Sequence, residues 1–385
     1  MRIAILGWYG TETIGDRAIL AGLLFIFNKT FIDYEISLGS LYPFFTERTI
    51  DEDKSFYENI MKKKINIKIF DSTISSQLDS EIKSCDIIIM GGGPLMHIKQ
   101  MNLIEYAFKK AKRLKKKTAL LGCGVGPLFK SYFQRSLLKI VKYSDIIILR
   151  DNSSKEKLYS IADKYREKIH KDRVYVSLDP AVQCALDYMK NHDAEKRGSY
   201  IAVNLRKFPV SYAEKKIANL VDLALVSYIR NIAKNNLEKK IRLVPMHYFY
   251  VGDDDREFLN YIRFQSGINN IVVQNKNLSL IETMKVYQNA QFNIGMRFHS
   301  IVLQTVLHGN NYILDYTEPE EGKIAGFLKD VDHQGFYKKR YLSLQKDYSA
   351  LIANSFKTYR NFISLDKSSM NKKLAIYGEL LKQFC

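Results

Sequence analysis

The chain begins with the apolar stretch Arg2-Ile3-Ala4-Ile5-Leu6, which leads into Gly7-Trp8-Tyr9-Gly10-Thr11-Glu12-Thr13-Ile14-Gly15-Asp16. The first part predicts a buried strand, and residues 17–24 predict a helix. Glycines allow a sharp turn at the end of the strand, and the helix N-terminus attracts anions. The spacing is neither the dinucleotide G-x-G-x-x-G nor a P-loop, which needs Lys-Ser/Thr after its last glycine. The stretch therefore predicts an α/β ligand-binding domain and argues against a nicotinamide or ATP site.

Length and composition indicate a two-domain globular protein. The 385 residues exceed one ordinary core, and 46% are hydrophobic against 26% charged. We expect a cytoplasmic protein, because the N-terminus lacks a secretory signal pattern and no apolar run approaches the ~20 residues of a membrane helix. The cysteines form no C-x-x-C pair, which argues against a zinc site or a disulfide framework. They are Cys85, Cys123, Cys184 and Cys385.

The net charge of +18 admits several partners. Nucleic acid, an anionic membrane face and phosphorylated substrates all favour a basic surface, and so does a Lys-rich genome with no functional cause. Basic residues are spread over many predicted helices, as in residues 109–117. No nucleic-acid motif accompanies them, so we expect no nucleic-acid partner.

Strand-like runs alternate with helical stretches in two series. Such alternation predicts parallel sheets covered on both faces. The first series comprises residues 3–6, 67–70, 86–90, 118–121, 146–149 and 174–176; the second comprises residues 200–205, 241–245, 271–273, 292–294 and 312–314. We predict two Rossmann-like domains, residues 1–190 and 191–343, facing a central cleft. After Asp330 we expect no further strand of comparable quality, and a helical segment at 344–385 packs back across the domains.

Two glycine-rich stretches follow neighbouring strands of the first domain. Gly91-Gly92-Gly93 follows residues 86–90, and Gly122-Cys123-Gly124-Val125-Gly126 follows residues 118–121. We interpret both as turns that let a ligand approach the backbone, although tight turning alone also explains them. His97 is either an anion donor or an exposed histidine with no role. A nucleophilic Cys123 is disfavoured, because no histidine lies near it in the sequence.

Two aspartates follow later strands of the first domain. Asp151 and Asp179 would accept from sugar hydroxyls or act as bases, but helix capping and turn chemistry is the favoured explanation for both. Arg150, immediately before Asp151, is a candidate substrate ligand.

In the second domain, Asn204 and Arg206 end a predicted strand. A guanidinium there suits a phosphate or a carboxylate, although a surface arginine without a ligand also explains Arg206. The acidic run Asp253-Asp254-Asp255 invites comparison with a metal-binding Asp-x-Asp, but helix capping explains it better, and we expect no metal.

The segment Gly295-Met296-Arg297-Phe298-His299-Ser300 joins a predicted strand to a helix. Arg297, His299 and the helix N-terminus would together form a three-part anion site, in which His299 is also able to move protons near neutral pH. A buried histidine that bonds only to the backbone is the alternative. Ser300 is a further candidate ligand. His247 and His308 have no comparable neighbours in the sequence.

Taken in order, these motifs resemble the polysaccharide pyruvyl transferase family. The resemblance implies a two-domain fold like that of GT-B glycosyltransferases and transfer of pyruvate from phosphoenolpyruvate to a pair of sugar hydroxyls, which forms a ketal on a cell-surface polysaccharide or its precursor. Phosphoenolpyruvate is the donor substrate and no cofactor is implied. By resemblance, Arg206 and Arg297 hold the phosphate and carboxylate of the donor, and His299 binds the donor or acts as general acid.

The sequence also departs from the family pattern. Where the family usually reads Asn-x-Gly-Asp-Glu, this chain has Thr13-Ile14-Gly15-Asp16-Arg17. We predict that the first domain, with Gly15, shapes the acceptor site, that Asp16 is the base, and that Thr13 and Arg17 set specificity. Acceptors in such pathways are often lipid-linked, which predicts peripheral contact with the inner membrane face. The alternatives are a GT-B glycosyltransferase that uses a nucleotide sugar, and a non-catalytic sugar- or anion-binding protein.

Overall fold

A computed structural model describes residues 1–193, 198–249, 251, 253–332, 334–353 and 365–384. The chain divides into two compact units. The first contains residues 1–12, 16–187 and 366–385, and the second contains residues 13–15 and 188–365. Residues 194–197 of the predicted domain junction, Gly252, residues 354–364 of the predicted C-terminal segment and Cys385 lie outside the described residues.

The first seven strands form one parallel sheet in the order β3-β2-β1-β4-β5-β6-β7. In chain order, the elements of this part are β1 (Arg2–Leu6), α1 (Ile14–Thr30), β2 (Glu35–Ser40), α2 (Pro43–Met61), β3 (Ile67–Asp71), α3 (Ser75–Ser84), β4 (Ile87–Leu95), α4 (Met101–Arg113), β5 (Lys117–Val125), α5 (Ser131–Tyr143), β6 (Ile146–Leu149), α6 (Asn152–Lys164), β7 (Val174–Val176) and α7 (Pro180–Asn191). Strands such as β1 and β6 are apolar along almost their whole length because helices cover both faces of the sheet.

The next six strands form a second parallel sheet in the order β10-β9-β8-β11-β12-β13. Its elements are β8 (Tyr200–Asn204), α8 (Lys215–Lys234), β9 (Lys240–Leu243), α9 (Asp255–Ser266), β10 (Ile271–Val273), α10 (Leu280–Asn289), β11 (Phe292–Gly295), α11 (Phe298–Leu307), β12 (Asn311–Asp315), α12 (Lys323–Val331), β13 (Tyr341–Ser343), α13 (Leu344–Asp347) and α14 (Ala350–Ala353). This is the 3-2-1-4-5-6 order of a Rossmann fold. The last helix, α15 (Lys367–Leu381), belongs to the first unit.

The predicted strands and their parallel pairing are confirmed, but two strands were missed. β2 reads Glu-Ile-Ser-Leu-Gly-Ser, which alternates weakly and carries two serines and a glycine. β13 is three residues long and pairs with β12, so the prediction that no strand follows Asp330 is wrong. Short strands of mixed polarity give little periodic signal, and neighbouring strands decide them.

The two glycine-rich stretches were predicted as turns, and this is also wrong. β4 continues through Gly91-Gly92-Gly93 to Leu95, and β5 continues through Gly122 to Val125. Gly92, Gly93 and Gly122 have φ between 68° and 72°, a conformation that suits glycine, and the pairing of β5 with β6 shifts register just after Leu121. The glycines therefore let two neighbouring strands extend past the point where a side chain would have ended them.

Candidate functional site

The second sheet reverses its strand order between β8 and β11, where Rossmann folds bind ligands. Asn204, the last residue of β8, lies opposite Gly295 of β11. Its side-chain oxygen accepts from the backbone N–H of Arg297 at 3.0 Å, and its nitrogen donates to the carbonyl of Val244 at 2.9 Å. The fully buried amide therefore joins the ends of three strands and fixes the backbone of Arg297, whereas ligand contact by Asn204 stays a prediction.

Arg297 is the N-cap residue of α11, and its guanidinium binds a buried carboxylate. Nε lies 2.8 and 2.9 Å from the two oxygens of Asp255, and Nη2 lies 2.5 Å from Oδ1. Asp255 also accepts from the backbone N–H groups of Met246 and His247 at 3.0 and 3.1 Å. The pair fixes the orientation of Arg297, and Nη1 takes no part in it.

Asp255 also changes the interpretation of the acidic run. The capping prediction is confirmed for Asp254, whose side chain accepts from the backbone N–H of Arg256 at 2.9 Å and caps α9. Asp255 has a second role that the sequence did not reveal, because its partner Arg297 is 42 residues away. Among the described residues, no group of three His, Cys, Asp or Glu side chains is arranged to hold a metal ion.

Tyr316 lies one residue beyond β12, with two cations over its ring. Arg206 Cζ and Lys323 Nζ are each 5.5 Å from the ring centroid. Burial raises the pKa of Tyr316, but nearby cations outweigh burial and lower the pKa to about 8. These cations are Lys323, Arg206 and Arg297. The arrangement concentrates positive charge at the ends of β8, β11 and β12, as an anionic ligand requires.

Burial lowers the pKa of the Arg206 guanidinium, and the neighbouring charge of Arg297 lowers this pKa further. Since Asp255 compensates the charge of Arg297, Arg206 and Lys323 are the cations that this geometry offers to an anion. Lys323 is the first residue of α12 and is 5.9 Å from the ring centroid of Phe298, which places it beside the start of α11.

His299 is half-buried in the first turn of α11, and its ring centroid is 4.9 Å from that of Phe298. Gly15 lies against it: a Cβ on Gly15 would be 2.1 Å from His299 Nδ1. Residues 13–15 belong to the second unit, and the backbone N–H of Ile14 donates to the carbonyl of Met246 at 3.0 Å. The hydroxyl of Ser300 donates to the carbonyl of Arg297 at 2.9 Å, so it stabilises the first turn of the helix.

The glycines of β4 pack against buried side chains. A Cβ on Gly91, Gly92 or Gly93 would approach Ile5, Ile19 or Trp8 within 2.3 to 2.7 Å. The structure thus gives each glycine a packing reason, and ligand contact at Gly91–Gly93 stays a prediction.

Arg150 lies at the end of β6 in a buried charge cluster. Its Nε lies 3.4 Å from a carboxylate oxygen of Asp151, and its Nη1 lies 3.4 Å from a carboxylate oxygen of Asp179. The favoured capping roles are confirmed: Asp151 accepts from Ser154 N–H at 2.6 Å, and Asp179 accepts from Ala181 N–H at 3.0 Å. Gly124 packs on Arg150, since its Cβ would lie 2.6 Å from Nη2. Substrate binding by Arg150 and Gly124 stays a prediction.

The other first-unit residues that the sequence analysis singled out each have their own local contacts. Asp16 accepts from the hydroxyl of Thr11 at 3.1 Å, and His97 packs on Phe133 with a centroid distance of 4.3 Å. Gly126 has φ of 91°. Burial raises the pKa of Cys123 to about 12, which agrees with the expectation that this thiol is not a nucleophile.

Sequence reasoning missed two residues of the second-unit site, Tyr316 and Lys323, and it did not reveal that Asp255 holds Arg297. Tyr316 and Lys323 were detectable in principle, because ligand sites lie at strand ends. Tyr316 follows a predicted strand, and Lys323 follows Gly322 at the start of a helix.

Within the described residues, no helix has the length and apolar character needed to cross a membrane.

Solved structures with the same fold include UDP-GlcNAc 2-epimerases. The enzyme from Methanocaldococcus jannaschii has a TM-score of 0.60 at 14% identity, with 100% of this chain and 99% of that chain covered. A putative enzyme from Listeria monocytogenes has a TM-score of 0.56 at 14% identity, with 100% and 97% covered. The enzyme from Neisseria meningitidis has a TM-score of 0.55 at 12% identity, with both chains fully covered. Identities this low show the fold alone.

The two Rossmann-like units and the strand-end cationic site define an α/β protein of the GT-B-like class, and this predicted fold class is confirmed. The chain belongs to the polysaccharide pyruvyl transferase family, whose model matches residues 14–317. It is therefore an enzyme of the transferase class, and the resemblance seen in the sequence is confirmed. Comparison with curated protein sequences gives no match.

Proposed function

We propose that this protein transfers pyruvate from phosphoenolpyruvate to two hydroxyls of a sugar, forming a ketal on a cell-surface polysaccharide or its precursor. The observation that carries the proposal is the cluster of Arg206, Lys323 and Arg297 around Tyr316, beside His299 and the N-terminus of α11. Phosphoenolpyruvate carries a phosphate and a carboxylate. Fixed cations and a helix N-terminus suit both groups, and they also stabilise the phosphate that leaves.

The reaction begins with proton transfer from the His299 imidazolium to the methylene carbon of the donor, which becomes a methyl group. Positive charge develops at C2, a sugar hydroxyl oxygen bonds to C2, and its proton passes to a base. The bond between C2 and the phosphate oxygen then breaks, and phosphate leaves with the electron pair. A second hydroxyl bonds to C2 and loses its proton to close the ketal, so that the two hydroxyl protons balance the proton gained by carbon and the one carried by phosphate. Asp16 stays the candidate base from the sequence.

The test is incubation with phosphoenolpyruvate and a panel of nitrophenyl glycosides, with product mass and released phosphate as readouts. A mass gain of one pyruvyl ketal with one equivalent of phosphate is expected. His299→Ala should lower the rate by about 10² to 10⁴-fold, as for loss of a general acid. Ketal formation by His299→Ala at near wild-type rate would contradict the proton-transfer role, and absence of product with every acceptor would contradict the proposed reaction.

A nucleotide-sugar glycosyltransferase is the second candidate. It is favoured by the fold shared with structures described as complexes with UDP-GlcNAc and UDP. Thermal shift separates the two candidates, because a ligand raises stability only by binding the native state. Stabilisation by nucleotide sugars and not by phosphoenolpyruvate would favour the second candidate.

We also propose that the acceptor is lipid-linked and that the basic surface holds the enzyme against anionic lipid at the inner membrane face. The net charge of +18 supports this proposal.

A further inference from the structure

A cavity of about 900 Å³ lies in the second unit, and its lining combines cations with acidic and apolar side chains. Arg206, Arg297 and Lys207 contribute positive charge, the first two at the proposed donor site. The remaining lining is mostly acidic or apolar, with Asp222 and Tyr261 among it. A three-carbon phosphorylated acid would fill a small part of this volume, which is in the range of pockets that take much larger ligands.

The acidic side chains of the cavity differ in how they are used. Asp254 caps α9 and Asp255 holds Arg297, so both serve the fold. Asp222 is buried on α8, and its Oδ1 accepts from the backbone N–H of Phe208 at 2.8 Å. Burial raises the pKa of Asp222 to about 6, which leaves the carboxylate ionised and able to accept hydrogen bonds at neutral pH.

The apolar side chains include an aromatic pair on α9. The rings of Phe258 and Tyr261 are nearly parallel, with 20° between their planes and 6.3 Å between centroids. Tyr261 is 42% exposed, and Leu223, which also lines the cavity, is 53% exposed. An exposed aromatic face beside carboxylates suits a sugar, whose C–H face packs on a ring while its hydroxyls donate to oxygen acceptors.

We propose that the acidic and aromatic side chains of this cavity bind the acceptor sugar, with its ring on Tyr261 and a hydroxyl donating to Asp222. The inference rests on the proposed function, because transfer requires the acceptor to meet the donor held at Arg206 and Arg297. The charge of Arg206 acts on Asp222, so the carboxylate that would accept from the sugar lies near a proposed donor cation. Acceptor recognition therefore includes the second unit, whereas the sequence pointed to the first domain.

The kinetic test compares Tyr261→Ala and Asp222→Asn with Phe264→Ala. Phe264 is the matched control, since it lies on the same helix, is 82% exposed and does not line the cavity. We expect the acceptor KM to rise at least about tenfold in the two cavity variants, because ring packing or a hydrogen bond to the sugar is lost, with the phosphoenolpyruvate KM unchanged. An unchanged acceptor KM, or equal rises in both KM values, would overturn the inference. Circular dichroism spectra confirm that each variant is folded.

A binding test without phosphoenolpyruvate separates this inference from the proposed function. Saturation-transfer NMR with the same nitrophenyl glycosides should show contact with the wild type and with Phe264→Ala, and a weaker signal with Tyr261→Ala. Sugar binding that depends on Tyr261 supports the acceptor site even if no ketal forms, in which case only the proposed reaction fails. No sugar contact, or contact that is equal in all variants, overturns the acceptor site even if ketal formation is observed.

Discussion

Arg297 illustrates how a single buried contact sets the character of the proposed donor site. Two hydrogen bonds from Nε and one from Nη2 fix its guanidinium on Asp255, and the Asn204 oxygen fixes its backbone N–H. Because both its guanidinium and its backbone are fixed in this way, Arg297 needs no reorganisation when charge develops on a departing phosphate. Because Asp255 compensates the charge of Arg297, the anion of the proposed donor would neutralise Arg206 and Lys323.

We predict that Asp255→Asn weakens the use of phosphoenolpyruvate. The change keeps the shape of the side chain but removes the charge that orients Arg297, and disrupting a buried charged pair costs about 2–5 kcal/mol. kcat/KM for phosphoenolpyruvate should fall by at least about 30-fold, the kinetic equivalent of the lower figure. Steady-state kinetics measure this. Glu238→Gln, at an exposed carboxylate of the second unit that does not line the cavity, serves as the control, and equal losses in both variants would contradict the role given to Asp255.

We predict that Tyr316 makes binding of the proposed donor depend on pH. Its pKa of about 8 means that a phenolate forms above pH 8 and pairs with the cations that the donor needs, while phosphoenolpyruvate itself is fully ionised throughout this range. Affinity for phosphoenolpyruvate should therefore fall up to about tenfold between pH 8 and 9, as linkage to one proton requires. Tyr316→Phe keeps the ring but should be insensitive to pH there. Calorimetric titration at several pH values measures the affinity of the wild type and of Tyr316→Phe for phosphoenolpyruvate. Identical pH profiles would show that the Tyr316 phenol does not cause the pH dependence.

At the scale of elements, the parallel strands were predictable because apolar runs buried on both faces dominate the sequence signal. β1 and β6 are examples. The strand-to-helix junction at Arg297 was also predicted. β2 and β13 were not predictable, since tertiary pairing outweighs their weak local pattern. The site was found only in part: Arg206 and His299 stand in recognisable motifs, whereas Tyr316 is an ordinary aromatic residue until the fold brings cations to it.

Arg17, which replaces the acid usual in the family, braces α1 against α2. Nε lies 2.6 Å from Asp53 and Nη1 lies 3.0 Å from Glu52. The structure therefore gives Arg17 a packing role, whereas the sequence suggested a role in acceptor specificity. The opposing charge on α2 explains why a base is tolerated at this position.

We predict that Arg17→Ala strongly destabilises the first unit. Asp53 is fully buried, and removing its cation should cost about 3–5 kcal/mol. That loss lowers the melting temperature by roughly 10 °C for a unit of this size. Thermal melting followed by circular dichroism measures it. Lys139→Ala removes a cation that is 56% exposed and should cost less than about 1 kcal/mol, so equal effects of the two changes would refute the brace.

At the scale of the whole molecule, the charge of +18 has a local concentration at the end of α4. Lys109, Arg113 and Lys115 are exposed there, and Leu114 between them is 41% exposed. Lys112 pairs with Asp145 at 2.5 Å, so part of the cluster is already neutralised. The remaining cations form a surface suited to anionic lipid.

We predict that the protein sediments with vesicles that contain anionic lipid and is released by salt. Replacing Lys109, Arg113 and Lys115 by Gln should weaken binding by about 100-fold, at about 1 kcal/mol for each charge. The control replaces three exposed lysines of α8, Lys215, Lys216 and Lys234, and should bind like the wild type. Sedimentation independent of anionic lipid would reject membrane contact.

The single tryptophan of the chain lies in the first unit, where its ring covers Gly93 and its Nε1 donates to the carbonyl of Pro94 at 3.0 Å. The tryptophan fluorescence of the protein therefore has one source, which lies against the C-terminal end of β4. Emission from Trp8 reports the local unfolding of the first unit, while far-ultraviolet dichroism reports both units. A titration that follows Trp8 thus gives an optical signal for events at the glycine-lined strand, separate from events at the proposed donor site of the second unit.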